Sequence, residues 1–301
     1  MSGAAVDVNA FSAWRELQQA RIEKALSAWV SADAPAGLGE AMRYAVLDGG
    51  KRLRPLLALA VSEAVSGEPE VAMRAACALE LIHAYSLVHD DMPCMDNDVL
   101  RRGKPTVHVA FGEAQALLAG DALQALAFEL LVPEDASVAP AMSAQLCRQL
   151  ACAAGAAGMA GGQAIDLASV GADLDRAGLE NMHRCKTGAL LQASVMMGAA
   201  TGECDVQALR CLRQYGDVLG LAFQVVDDIL DVTTDSATLG KTAGKDAAAD
   251  KPTFVSLMGL TPAQACADEL LDRAHQALHE SGLEHTENLH ALADWVGRRS
   301  N

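Results

Sequence analysis

Two acidic strings stand out in the sequence: Asp90-Asp91-Met92-Pro93-Cys94-Met95-Asp96 and Asp227-Asp228-Ile229-Leu230-Asp231. Each is joined to apolar chain, with Leu81, Ile82, Leu87 and Val88 before the first and Val225 and Val226 before the second. Carboxylates in such settings are costly unless something compensates them. Asp227 and Asp231 lie one turn apart on a shared helix face, so their repulsion adds to that cost unless a cation sits between them. Carboxylate oxygens are hard donors, and magnesium takes one or two of them together with substrate phosphates and water. Two facing strings can therefore hold a diphosphate through magnesium ions. The competing reading is a pair of solvated helix ends. Recurrence of the pattern on two apolar helices, each followed by basic chain, argues against it.

Asp90 and Asp96 are six residues apart, a separation of about 240° on a regular helix. They can serve one metal only if the helix is interrupted. Pro93 supplies a reason, because it lacks a donor and clashes with the preceding turn.

The cations are as clustered as the acids. Gly49-Gly50-Lys51-Arg52-Leu53-Arg54-Pro55 puts three positive charges in a glycine-started turn entering a helix, which suits an anion and would also pass as a solvated basic turn. Arg101-Arg102-Gly103-Lys104 follows the first acidic string, and Lys241, Lys245 and Lys251 follow the second. His83 lies two turns before Asp90 near the same face. Alone it reads equally well as a satisfied core histidine.

Helices must position these groups. Apolar periodicity predicts helices over Phe11–Val30, Val71–Asp91, Glu113–Leu131, Pro140–Ala157, Leu179–Ala200, Asp205–Asp231 and Pro262–Ser281. Gly49-Gly50 breaks one helix, and Pro55 suits the first turn of the next. Gly155–Gly162, rich in Ala and Gly, marks either a helix break or a close helix contact. Thr233–Lys251 reads as the clearest loop. No run of alternating or β-branched residues signals a sheet, so the expected class is all-α.

Of the 301 residues, 51% are apolar and only 4% aromatic, and Ala and Leu favour helices. The net charge of −16 argues against a nucleic-acid partner, which would need a basic face. The eight cysteines form no CxxC pair, which argues against a zinc site or a thioredoxin-like centre. No basic-then-apolar N-terminal segment and no apolar run of about 18 residues is visible, so a membrane span is not expected. A reduced, cytoplasmic enzyme is the expectation.

The string HAYSLVHDDMPCMDNDVLRRGKPT, with GGKRLRP upstream and FQVVDDILD downstream, closely resembles the trans-prenyltransferases, and within them bacterial farnesyl diphosphate synthases. The motifs keep the family order from Gly49 to about Phe254. The resemblance implies one polyprenyl synthetase domain over residues 1–301, an isoprenoid synthase-type helical bundle around a central cavity, a homodimer and three Mg²⁺ ions. It implies condensation of isopentenyl diphosphate with dimethylallyl and geranyl diphosphate. Lys51, Arg54, His83 and Arg102 would bind isopentenyl diphosphate. Asp90, Asp96 and Asp227 would be leading metal ligands, supported by Asp91, Asp228 and Asp231. Arg101, Lys186, Lys241 and Lys251 would grip the allylic diphosphate, and Thr187 and Gln224 would offer oxygen dipoles to the allylic cation. Lys186-Thr187-Gly188 fits a helix deformation exposing such oxygens. A formal tally brings the site near neutrality only with both substrates and metal present.

Asn97 departs from a longer acidic run, and Phe254 stands where relatives often have Tyr. Product length follows from Tyr85 and Ser86, one turn before Asp90, where an aromatic with two extra residues in the acidic motif accompanies a farnesyl product in the resembling bacterial enzymes. Tyr85 as a plain core aromatic is the alternative. Geranylgeranyl or geranyl diphosphate synthesis is the runner-up activity. A terpene cyclase would not need the Lys51/Arg54 site, and a non-catalytic regulatory subunit would be expected to have lost motif residues that are all present here.

Overall fold

The computed structural model describes residues 8–47, 49–171, 174–233 and 252–298. Its helices are α1 (Val8–Trp29), α2 (Leu38–Val46), α3 (Leu53–Ala64), α4 (Pro69–Asp90), α5 (Val107–Phe111), α6 (Glu113–Leu131), α7 (Pro140–Ala154), α8 (Met159–Ala168) and α9 (Arg176–His183). They continue as α10 (Ala189–Ala200), α11 (Val206–Thr233), α12 (Phe254–Met258), α13 (Leu260–Glu280) and α14 (Glu287–Gly297). The all-α expectation holds. Among the described residues the only strands are a hairpin, β1 (Leu100–Arg101) against β2 (Lys104–Pro105). Its turn places Arg102 at φ 53° and Gly103 at φ 77°, the left-handed pair a tight hairpin requires.

The long helices start and stop for identifiable reasons. Pro69 and Pro140 open α4 and α7 at a position where a missing donor costs nothing. Asp175 caps α9 by accepting from the Gly178 N–H, and Thr253 with Ser256 forms a reciprocal box at α12. The expected helix Pro140–Ala157 ends earlier, at Ala154, because Gly155 is extended and α8 then begins anew. The expected helix Leu179–Ala200 is three pieces: α9, a π-helical turn over Arg184–Gly188, and α10.

α4 and α10 form the centre. α4 lies against α3 and α6, while α10 lies against α3, α7 and α11; α11 in turn lies along α13. Both central helices are small-residue rich and buried around most of their circumference, including Ala75, Ala76, Ala78 and Leu79 in α4 and Val195, Met197 and Ala199 in α10. α4 and α6 are long and apolar enough to cross a membrane, but most of α4 is buried within the fold, which suits a core helix. Glycine allows the π turn to sit close to its neighbours. A Cβ on Gly162 of α8 would collide with the Lys186 backbone, and one on Gly220 of α11 would lie 2.8 Å from the Gly188 Cα.

Candidate active site

A cavity of about 840 Å³ opens where α3, α4, α8, the π turn and α11 converge. α4 supplies Glu80, His83, Leu87 and Asp90, residues three or four apart and hence on one helix face. His83 and Asp90 are separated by about 10 Å of helix rise, which gives the cavity two ends.

The basic end is built around the start of α3. Arg52 adopts left-handed φ 52°, turning its side chain inward, where Nε meets Glu23 at 2.6 Å and an NH2 group meets Glu80 at 2.5 Å. A third donor reaches the Val46 carbonyl at 2.6 Å. Arg52 is therefore a structural cation, and its charge is matched locally. Lys51 and Arg54, on either side of it, line the cavity. Burial draws the Arg54 guanidinium down to about 10, against the opposing influence of Glu80 and Asp227. Arg102 comes over from the hairpin and donates to the Gly49 carbonyl at 2.6 Å. Burial first, and then Arg54 and Arg102, hold His83 neutral, well below the usual histidine range.

At the acidic end, α4 stops at Asp90, and the chain turns back so that the Asp96 N–H donates to the Asp90 carbonyl at 2.9 Å. This interruption, starting before Pro93, brings both carboxylates to the cavity although a continuous helix would not. Asp227 and Asp228 arrive from α11. Burial pushes Asp90 up to about 6, with Lys186 pulling it down and Asp96 adding to the rise. Among the described residues these carboxylates do not by themselves form a group of three ligands around one point. Hard oxygen donors lining one cavity, one of them held against its ionised form, suit divalent cations that a ligand's phosphates help to bind.

Several expected ligands differ from that picture. Asp91 does not line this cavity: one residue on from Asp90 it is rotated about 100°, is 3% exposed, and is bonded to Arg101 Nε at 2.8 Å and to a second guanidinium nitrogen at 2.5 Å. Arg101 lines the cavity but carries that ion pair. Asp228 accepts from Gln224 at 3.1 Å and from the Phe254 N–H at 2.8 Å, which makes it a brace as much as a ligand. Because the Phe254 bond is to backbone, the missing Tyr hydroxyl leaves it intact. Asp231 is buried one turn further on and does not line the cavity. Tyr85 and Ser86 were expected at the cavity floor and line no part of it: Tyr85 is rotated about 140° from Asp90, lies edge-on to His89 and bonds to Gln124 of α6. The Ser86 hydroxyl donates to the His83 carbonyl at 2.9 Å. Lys241, Lys245 and Lys251 lie outside the described residues.

The π turn adds the remaining expected groups. Thr187 Oγ1 donates to Gln224 Oε1 at 3.1 Å, and both line the cavity. Lys186 Nζ bonds to Asp166 at 2.5 Å. Asp166 was not singled out from the sequence, where one acid after Gly161-Gly162 looks like a solvated helix charge; it is 5% exposed and a cavity wall. His183 was missed too. It stacks on Phe254 with ring centroids 5.5 Å apart, and burial lowers it to about 4.

Residues 35–289 match the family described as polyprenyl synthetase. The chain belongs to that family. A member-like relative, geranylgeranyl pyrophosphate synthase 7, chloroplastic, from Arabidopsis thaliana, is 48% identical over 283 residues, covering 93% of this chain and 81% of its own. Among solved structures, an FPP/GFPP synthase from Zymomonas mobilis is 40% identical with a TM-score of 0.85, covering 96% of this chain and 99% of the other. A geranyltransferase from Helicobacter pylori, complexed with magnesium and isoprenyl diphosphate, is 34% identical with a TM-score of 0.85, covering 99% of this polyprenyl synthetase and 100% of its counterpart. The family resemblance read from the motifs is thereby borne out, as is the isoprenoid synthase-type fold. The cytoplasmic expectation is corrected: the Arabidopsis relative and further plant relatives at 46–47% identity are named as chloroplastic enzymes.

Proposed function

We propose that this polyprenyl synthetase is a short-chain trans-prenyl diphosphate synthase joining isopentenyl diphosphate to an allylic diphosphate. The observation that carries the reading is the division of one cavity into a basic end at Lys51, Arg54, His83 and Arg102 and an acidic end at Asp90, Asp96 and Asp227. One diphosphate can be bound directly by cations; the other needs intervening metal. Magnesium bound by Asp90, Asp96 and Asp227 would neutralise the leaving diphosphate. Asp91 and Asp231 act on this reading through their neighbours, and Asp228 holds Gln224 and α12 in place.

The chain's own residues then orient the reactants. Lys186, released from Asp166, and Arg101 hold the allylic diphosphate as its C–O bond breaks, with Lys241 and Lys251 assigned to the same group. The isopentenyl double bond attacks the allylic C1, and a proton lost to the departing pyrophosphate restores a double bond. Thr187 and Gln224 direct oxygen dipoles toward the developing cation, and neutral His83 donates a hydrogen bond without adding positive charge. Residues 1–301 form one catalytic domain on this reading. The exposed Leu117 and Leu118 of α6 suit a homodimer.

The product is proposed to be farnesyl diphosphate, supported by the likeness of the first acidic string and the aromatic Tyr85 before it to bacterial farnesyl diphosphate synthases. Because Tyr85 lies outside the cavity lining and bonds to Gln124, any limit it sets acts through α6. Geranylgeranyl diphosphate is the second reading, favoured by the names of the plant relatives. Incubation with Mg²⁺, isopentenyl diphosphate and labelled dimethylallyl or geranyl diphosphate, followed by product sizing, decides between them. No elongated product with any allylic primer would remove the activity altogether.

A further inference from the structure

The wall of the basic end is completed by two helices that carry no family motif. α1 presents Arg15 and Gln19, one turn apart, and the C-terminal helix α14 presents Trp295; all three line the cavity. The Gln19 amide donates to the Lys51 carbonyl at 3.2 Å, which ties α1 to the turn holding Lys51 and Arg54. The Arg15 guanidinium lies over two rings, its Cζ 5.3 Å from the Trp295 ring centre and 6.0 Å from that of Phe11. Its Nε is buried and meets no acceptor among the described residues.

Among the described residues Arg15 makes no ion pair: Glu23 and Glu80 are bonded to Arg52, and Glu63 accepts from the Trp14 indole and the Gln18 amide. Attraction to a ring face does not use up the N–H donors of a guanidinium, which stay available to an anion. That is the arrangement in which arginine takes a phosphate edge-on.

We infer that Arg15 is a binding residue for the diphosphate of the non-allylic substrate, held in position by Trp295 and Phe11, so that the first and last helices are part of that subsite. This rests on the assignment of the basic end to isopentenyl diphosphate. Because the rings fix the guanidinium before the ligand arrives, little side-chain freedom is lost on binding.

The test is steady-state kinetics with each substrate varied in turn, on Arg15→Gln, Trp295→Leu and Arg54→Ala. Arg15→Gln raises KM for isopentenyl diphosphate about 10- to 100-fold, the range for losing a charged hydrogen bond, and changes the allylic KM less than about twofold. Trp295→Leu moves KM in the same direction by a smaller factor. If Arg54→Ala shows this bias and Arg15→Gln does not, the inference fails and the subsite assignment stands; if neither shows it, both fail. Equal changes for both substrates assign Arg15 a structural role and overturn the inference. Should Arg15→Gln not fold, Arg15→Lys, which keeps charge but loses the planar fork, must still raise the isopentenyl KM selectively. Independently, isopentenyl diphosphate titrated into a metal-free Trp14→Phe/Trp29→Phe protein shifts the emission of Trp295; unchanged emission at saturation counts against contact.

Discussion

The two ends of the cavity are organised on opposite principles. At the basic end the charges are wired in advance: Arg52 is held by Glu23, Glu80 and the Val46 carbonyl, Arg102 by the Gly49 carbonyl, and the turn itself by Gln19. At the acidic end Asp90 is pushed up to about 6, first by burial, with Asp96 adding to the rise. The framework of the basic end is bonded before a ligand arrives, with the buried Nε donors of Arg15 and Arg54 left for one, whereas the acidic end carries strain until it binds. The difference teaches where the protein accepts a stability cost in exchange for function.

The largest expected effect breaks the acidic end. Asp227→Ala lowers turnover by about 10²–10³-fold or more, on the scale of losing a leading electrostatic contact, while circular dichroism keeps its helical signal. Near-normal turnover would overturn the metal assignment. Next, Arg54→Ala raises KM for isopentenyl diphosphate by roughly 10-fold or more, whereas Lys186→Met does so for the allylic substrate. Matching effects on both substrates from each change would erase the distinction between the ends.

The basic end should respond in stability instead. Glu80→Gln leaves Arg52 buried beside one carboxylate, 2% exposed, and costs about 3 kcal/mol in urea unfolding. A loss as small as that of a surface substitution would mean the wiring is idle.

Asp90→Asn sharpens the contrast through pH. An acid raised above its ordinary value keeps its proton in the folded state after the unfolded chain has lost it. The metal-free wild type therefore loses stability as pH climbs from about 4 to about 6, and carries the full cost above that. The Asn variant escapes a cost of roughly 1–3 kcal/mol and melts higher than wild type at pH 8 without metal. Added Mg²⁺ closes the gap by stabilising wild type alone. A gap equal at pH 4 and pH 8 would show that Asp90 is not the strained group. The smallest effect is expected from Tyr85→Ala, which lengthens the product distribution with little change in rate; an unaltered distribution would move the determinant elsewhere.

Much of this was legible from residue types. The long helices follow from uninterrupted apolar periodicity, and both acidic strings lie where that reading put them. Asp90 and Asp96 meet because the helix ends, as their six-residue spacing required. What escaped was direction and company. Adjacent cations in Gly49–Pro55 look alike in sequence and all three line the cavity, yet a left-handed φ turns Arg52 onto Glu23 and Glu80, which take up its charge. Asp91 differs from Asp90 only by its rotation on α4 and an arginine ten residues away. Tyr85 was placed by distance along the helix when its angle around the axis mattered. Asp166, Arg15 and Trp295 act through contacts between remote segments, which no local pattern announces.

The π turn at Arg184–Gly188 accommodates one residue more than a regular helical turn would. Chain length is therefore part of its design. Deleting a single residue there would restore a regular helical turn and leave α10 close to its present angle, because five residues at π spacing turn the chain about as far as four at α spacing. The loss would be local: Thr187 would leave Gln224, and Lys186 would leave Asp166. A one-residue deletion in this string of Arg, Cys, Lys and Thr should therefore keep the helical fold and its melting behaviour while removing turnover, which separates the shape of the chain from the placement of two side chains.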